Sequence, residues 1–236
     1  MINILSNPDK YNLETPIAHI VKREPDFVTF GDACLEAGGG FSENLFWWHV
    51  EWPDEIKALT LKNLRVTRKC HLSKELISIN LLEFAVEIIN YAAITVLFRE
   101  NPSLCKHLYP LLLNWTDNTT SKSWIRKAAS RTKKGKALQR LLCSLMINNP
   151  VGLKAEHIAG VLNVLADAIS RTYSSSYSKL SFENLFQEFP QMRSWDRFLP
   201  SQELLSALYS GLLEGQDHEL CLPKQLGHFV PGKITS

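Results

Sequence analysis

DFVTFGDACLEAGGG, residues Asp26 to Gly40, is the stretch on which the fold turns. Val, Thr and Phe at the density of Phe27-Val28-Thr29-Phe30 favour a strand. The three glycines that close the stretch favour a tight connection or a close approach of backbone. Asp32 therefore falls at or near the end of a strand that opens a hairpin. A carboxylate placed there among small residues suits a metal ion and a phosphate; it equally suits an Asp capping an ordinary turn. The rest of the chain has to decide between the two.

Outward from this stretch, Leu45 to Trp52 reads as a second, aromatic-rich strand that ends at Pro53. Its Phe46, Trp47, Trp48 and Trp52 read first as core and second as base-stacking surface. Residues 54–75 are mixed, with a basic cluster at Lys62, Arg65, Arg68 and Lys69. The spacing of Leu82, Val86, Ile89 and Ala93 predicts a helix from about Ser78 to Arg99, with one of Glu83 and Glu87 turned inward and the other solvated. Asn80, Glu83, Glu87 and Asn90 interrupt this most apolar stretch in a polar stripe, which argues against a membrane span. Pro102 stops the helix.

Leu111 to Trp115 predicts a further strand ending at Thr116-Asp117-Asn118, with Thr119, Thr120 or Ser121 capping the helix that follows. Asp117 thus repeats the placement of Asp32, a carboxylate where a strand stops. Gln139 to Ile147 continues as helix and Leu153 to Ile158 as strand. HIAGVLNVLADAISR (His157–Arg171) gives a turn at Gly160 and a short helix bearing Asp167.

Composition sets the outer limits. The chain has 236 residues, 45% hydrophobic and 21% charged, with a formal net charge of +2. These values fit a globular protein with a sizeable core, and bulk charge says nothing about partners. Five scattered cysteines without a CxxC pair suggest neither a zinc motif nor a disulfide framework, and reduced thiols suit an intracellular, cytoplasmic or nuclear protein. No signal-peptide pattern opens the chain, so secretion is not expected. Charge is concentrated locally. Lys122, Arg126, Lys127, Arg131, Lys133, Lys134, Lys136 and Arg140 run without an intervening acid. Such a run is either a solvated face or a polyanion-binding surface.

Four acids remain to be explained: Asp32 and Asp117 at strand ends, Glu83 on the long helix and Asp167 on the late one. If the strands are neighbours in one sheet, the four carboxylates can share one space. Like charges at that range repel and need cations to stay ionised. Oxygen-only ligands select Mg²⁺ or Mn²⁺. A pair of such ions activates a water and stabilises the leaving oxygen of a phosphodiester, which is nuclease chemistry.

Five pieces in order carry a resemblance: FGDACLEAGGG (30–40), FWWHVEWP (46–53), INLLEFAV (79–86), NWTDNTTS (114–121) and HIAGVLNVLADAISR (157–171). Together they resemble the ribonuclease H domain of retrotransposon reverse transcriptases, close to those of gypsy-like and DIRS-like elements. The resemblance implies an α/β ribonuclease H-like fold, a mixed central sheet flanked by helices. It assigns 1–25 to a lead-in, 26–172 to the domain, 173–179 to a Ser/Tyr-rich linker and 180–236 to a helical C-terminal extension and tail.

It also implies that Asp32, Glu83, Asp117 and Asp167 are catalytic and hold two Mg²⁺ or Mn²⁺ ions. The implied reaction is hydrolysis of the RNA strand of an RNA–DNA hybrid, leaving a 3′-hydroxyl and a 5′-phosphate. The substrate backbone would meet Asn118, which is equally suited to capping a helix. It would also meet the basic run through Lys122, Arg126, Arg131, Lys133, Lys134 and Lys136, where some family members carry a basic handle. His157 is read as structural and Arg171 as the partner of a nearby acid. Nothing in residues 1–25 resembles a polymerase, so a reverse transcriptase is expected from another chain or as a part lost upstream. The reading from a different class is a catalytically silent nucleic-acid-binding or structural module of the same fold. The presence of all four acids disfavours it. An integrase-like nuclease would carry a Glu as the last acid, and Asp167 argues against that.

Overall fold

Phe27–Ala33 alternates buried and half-buried side chains until its last three residues, which are all buried, so this strand has structure on both faces. The computed structural model describes residues 23–65, 76–172, 181–215 and 223–232. Its strands are β1 (Phe27–Ala33), β2 (Ala37–Ser42), β3 (Phe46–Glu51), β4 (Leu111–Thr116), β5 (Gly152–His157), β6 (Asp196–Pro200) and β7 (Gly227–Val230). Its helices are α1 (Asp54–Arg65), α2 (Ile79–Glu100), α3 (Thr119–Lys127), α4 (Lys133–Ile147), α5 (Val164–Ser170), α6 (Phe182–Glu188) and α7 (Gln202–Leu213). The strands form one mixed seven-stranded sheet in the order β5-β4-β1-β2-β3-β6-β7. β4 runs parallel to both β1 and β5, β2 is antiparallel to β1 and β3, β6 is parallel to β3, and β7 is antiparallel to β6.

The triple glycine departs from its expected place in a turn. Gly38, Gly39 and Gly40 lie in the middle of β2, so Asp26 to Trp52 makes three strands where the sequence suggests two. Close packing on both faces is the reason. A Cβ on Gly38 would sit 2.7 Å from Trp52 and 2.8 Å from Val86 of α2, and one on Gly40 would sit 2.6 Å from Asn90 Oδ1. A Cβ on Gly39, on the other face, would sit 2.5 Å from Ile169 Cγ2 and 2.7 Å from the Ser170 backbone nitrogen of α5. The glycines let two helices close onto one strand from opposite sides. Gly39→Ala is therefore expected to destabilise the protein by about 1–3 kcal/mol, because a backbone atom cannot swing aside. Chemical denaturation measures this, and an unchanged midpoint would refute it.

α2 runs over residues 79–100, as its spacing predicts, but it is buried on every side from Leu81 to Leu97. Glu83 and Glu87 are both buried, contrary to the expectation that one is solvated. Of the polar stripe, Asn90 has internal partners: it accepts from Trp48 Nε1 at 2.8 Å and donates to the Phe30 carbonyl at 3.3 Å. The helix is long and apolar enough to cross a membrane, but 94% of its most apolar window is buried within the protein.

One core lies on the α2 side of the sheet and takes in Phe46, Trp48, Trp52, Leu82, Ile89, Leu138 and Leu208. A second, on the α5 side, takes in Phe41, Trp47, Ile169, Leu185, Met192 and Trp195. The aromatics of β3 are thus core, shared between the two faces in strand alternation.

The C-terminal portion corrects a second expectation. It is neither wholly helical nor separate: β6 and β7 extend the sheet beyond β3, and Phe198, Leu204, Leu208 and Leu212 join the first core. The strand Asp196–Pro200 is hard to see because it is short and bracketed by Pro190 and Pro200. Within residues 53–75, which the motifs leave unassigned, Asp54–Arg65 forms α1 with Ile56 buried. Arg68, Lys69, the 173–179 linker, most of the 1–25 lead-in and the last four residues of the tail lie outside the described residues.

Candidate metal centre and basic surface

Parallel pairing of β1 with β4 matches Phe30 to Trp115, and Asp32 and Asp117 each lie two residues further on. Both acids therefore arrive at the same carboxyl edge of the sheet, where connections leave room for ligands. α2 lays Glu83, in its first turns, over that edge. Asp32, Glu83 and Asp117 each offer a carboxylate oxygen, and the three lie within 4.8 Å of one another.

Burial and mutual repulsion show in their protonation. Burial pushes the Asp32 carboxyl up to about 6, and the charges of Asp167 and Asp117 add to the rise while a hydrogen bond from Ser170 opposes it. Ser170 Oγ donates to Asp32 Oδ2 at 2.5 Å. Glu83 is raised well above the usual carboxylate range, by burial first and then by the charges of Asp32, Asp117 and Glu87. Asp117 is raised as well, mainly by burial, with His157 opposing. Glu83 Oε2 is buried without a hydrogen-bond partner. An all-oxygen set with a buried unpaired oxygen and carboxyls held above their ordinary range fits a hard divalent cation.

Asp167 is not among the closest three. α5 begins only after the short turn at 160–162, and Arg171 one turn on draws the carboxylate to itself, with Nε and Nη2 each 2.7 Å from Oδ1. Its charge nevertheless reaches Asp32 and Asp117. Gly160 lets the preceding turn pass close to Asp117, since a Cβ there would meet Oδ2 at 3.0 Å. His157 Nε2 lies 3.1 Å from the Asp117 carbonyl oxygen, a contact that holds the end of β4 against the end of β5.

Two residues of the site escape a reading of the sequence. Ser170 looks like a helix-end serine, and only the closeness of α5 to β2 brings it to Asp32. Glu87 is fully buried behind the centre, and burial raises it to about 8. Thr116 and Asn114 lean toward the Glu87 carboxyl and offset part of that rise, but neither reaches hydrogen-bonding geometry with its carboxyl oxygens, and Asn114 Nδ2 donates to the Glu87 backbone carbonyl at 3.4 Å.

The basic run divides into two helices with different roles. Asn118 caps α3, accepting from the backbone N–H groups of Thr120 at 3.0 Å and Ser121 at 2.9 Å, while its amide donates to Asn80 at 2.8 Å. Its side chain is thus committed to the fold and not turned out to a substrate. Lys122 pairs with Glu156 at 2.6 Å and, with Thr119, Ser123, Arg126, Lys127 and His157, lines a groove of about 480 Å³.

Arg131, Lys133 and Lys136 are exposed on and before α4. Lys134 is a correction: it is buried, and its Nζ donates to the carbonyls of Leu212 at 2.7 Å and Leu213 at 2.9 Å, tying off the C-terminus of α7. The alternation of a helix face puts it inside while its neighbours face water. Lys134→Met is expected to cost about 1–3 kcal/mol of stability, as loss of two charged hydrogen bonds to helix-end carbonyls should. The double change of Lys133 and Lys136 to Gln, both exposed, should leave stability unchanged. Equal melting temperatures for all three proteins would refute the division.

Compared with protein-family models, curated proteins and solved structures, the chain matches none.

Proposed function

We propose that the chain is a divalent-metal-dependent endonuclease of the ribonuclease H type, retroelement-derived, that hydrolyses the RNA strand of RNA–DNA hybrids. The observation that carries this reading is the meeting of Asp32, Glu83 and Asp117 at the carboxyl edge of two central parallel strands. The mixed sheet with helices on both faces is compatible with the ribonuclease H-like fold that the five motifs imply.

Asp32, Glu83 and Asp117 would hold one Mg²⁺ or Mn²⁺, and Asp167 would complete the set for a second ion once Arg171 yields it. Ions bound there supply Lewis acidity for an attacking water and a leaving oxygen. Ser170 fixes the orientation of Asp32, and the Asn118 cap and the His157 contact fix the backbone on which Asp117 is carried. The groove along α3 and the exposed lysines of α4 would take backbone phosphates, so recognition rests on A-form shape with little sequence preference. The products would carry a 3′-hydroxyl and a 5′-phosphate, and a reverse transcriptase on another chain would supply the hybrid, in cytoplasm or nucleus.

The test is incubation of the full chain with end-labelled hybrid, double-stranded RNA and double-stranded DNA in Mg²⁺, Mn²⁺ or chelator. Cleavage confined to the RNA of the hybrid and abolished by chelator is the expected result. A hybrid bound but left intact would favour the silent module, for which the hold of Arg171 on Asp167 is the structural argument.

A further inference from the structure

At the other end of β1, three donors of different chemistry converge. Asp26 immediately precedes β1, while Cys105 and His107 lie in the connection between α2 and β4. One ligand atom from each falls within 4.8 Å of the other two. The acidic centre lies at the opposite, carboxyl end of the same strand.

We propose that Asp26, Cys105 and His107 form a second metal site, selective for zinc, that clamps the 101–110 connection to the start of β1 and β4. Thiol, imidazole and carboxylate together make a mixed sulfur, nitrogen and oxygen set, which suits a borderline-soft ion and not Mg²⁺. A tetrahedral ion with bonds of about 2.0–2.3 Å sets its donors roughly 3.3–3.8 Å apart, within the observed spread.

The surroundings orient the donors as outer partners of a metal site do. Asp26 Oδ2 accepts from the Leu111 backbone N–H at 2.7 Å and lies 3.1 Å from Arg23 Nη1. This leaves Oδ1 turned to His107 Nδ1, with which it is hydrogen-bonded. Cys105 Sγ accepts from the His107 backbone N–H at 3.3 Å and donates to the His107 carbonyl at 3.4 Å, contacts that hold the sulfur beside the imidazole. An ion would replace the proton of the thiol and the one shared between His107 and Asp26. Thiolate and carboxylate would then cancel its charge, so the cation of Arg23 faces a neutral set. His107 is 54% exposed in its side chain, which leaves the fourth position open to water.

Cobalt(II) titration of the metal-stripped full chain tests this directly. One equivalent should give a thiolate-to-cobalt charge-transfer band with tetrahedral ligand-field bands, and zinc should bleach both. Cys105→Ser should abolish the charge-transfer band, and Asp26→Asn and His107→Gln should each weaken binding at least about tenfold. Asp32→Asn should leave the bands in place, which separates this site from the acidic centre and from the nuclease reading. Zinc should raise the melting temperature by about 3 °C or more in the parent and in Asp32→Asn but not in His107→Gln. Absence of the band in the parent protein, or its survival in Cys105→Ser, would overturn the assignment. If Cys105→Ser does not fold, His107→Gln on the exposed side decides, and an unweakened cobalt affinity there overturns it equally.

Discussion

Asp32→Asn is expected to stop hybrid cleavage and, in the absence of metal, to make the protein more stable. The two changes have one cause. At neutral pH the Asp32 carboxyl sits close to Glu83 and Asp117 in a buried space, where burial and neighbouring acids raise it from 3.8 to about 6. A rise of that size corresponds to roughly 3 kcal/mol of strain in the ionised form. Asparagine has nearly the same shape and can still accept from Ser170, but it carries no charge. We expect metal-free stability to rise by about 1–3 kcal/mol near pH 7.5, read by denaturant unfolding in chelator. The same loss of charge removes a ligand for the cation. Catalysis should fall by on the order of a thousandfold or more, equivalent to several kcal/mol of lost Lewis-acid stabilisation. Stabilisation of the fold by Mg²⁺ should vanish with it. An aspartate whose job is to cap a turn would behave differently, since its removal would weaken the fold and leave metal dependence untouched. A fall in metal-free stability would therefore sink the assignment even if activity were also lost.

The contrast between what the residues announce and what packing decides explains how much of this centre the sequence reveals. Asp32 and Asp117 are legible because each follows an apolar run dense in Phe, Val, Leu or Trp, and strand ends are where parallel sheets gather ligands. Glu83 is legible because helical spacing places it among Leu81, Leu82 and Val86. What cannot be read is distance between elements. The GGG of β2 looks like a turn because glycine permits turns. Its use here is the absence of a Cβ, which Val86 and Asn90 on one facing helix, Ile169 and Ser170 on the other, and Trp52 make necessary. Glu87 looks like the solvated partner of Glu83, but α2 is covered on all sides and the two acids share burial. Lys134 looks like one of a run, and only the end of α7, far along the chain, gives its ammonium a reason to be inside. β6 and β7 are short, and the sheet edge left by β3 is what makes them strands. Local propensity and period fix the elements; the exceptions all lie where two distant elements touch.

Stability of the metal-free protein should fall as pH rises from about 6.5 to 8, and Glu87 should account for a separable part of the fall. The sign follows from proton counting. A carboxylate whose folded value is raised holds its proton in the native state at pH values where the unfolded chain has lost it. Stability therefore decreases with pH between the two values. Asp32 contributes between 3.8 and about 6, and Glu87 between 4.5 and about 8. His49 acts in the opposite sense: burial lowers it from 6.5 to about 4, so its contribution grows as pH rises between those limits. Below about pH 6.5 His49 offsets one of the several carboxyl contributions, so stability falls less steeply there than the acids alone would dictate. Above it His49 is neutral in both states and Asp32 has titrated, which leaves Glu87 together with Glu83, raised well above its ordinary range. One retained proton gives a slope of about −1.4 kcal/mol per pH unit, so Glu87 alone should remove on the order of 1–2 kcal/mol across this window. Saturating Mg²⁺, bound at the proposed centre, would hold Glu83 in its ionised form and should remove that residue's share, leaving the slope due to Glu87. Glu87→Gln mimics the protonated acid. It should match the parent only below about pH 4.5, already exceed it near pH 6.5, exceed it by more at pH 8, and in Mg²⁺ show an almost flat profile above pH 6.5. Urea unfolding at four pH values, with chelator and with Mg²⁺, is sufficient. A Glu87→Gln profile parallel to the parent's in Mg²⁺ would show that Glu87 is already ionised in the folded protein, and would place a fourth cation-demanding carboxylate behind the first three.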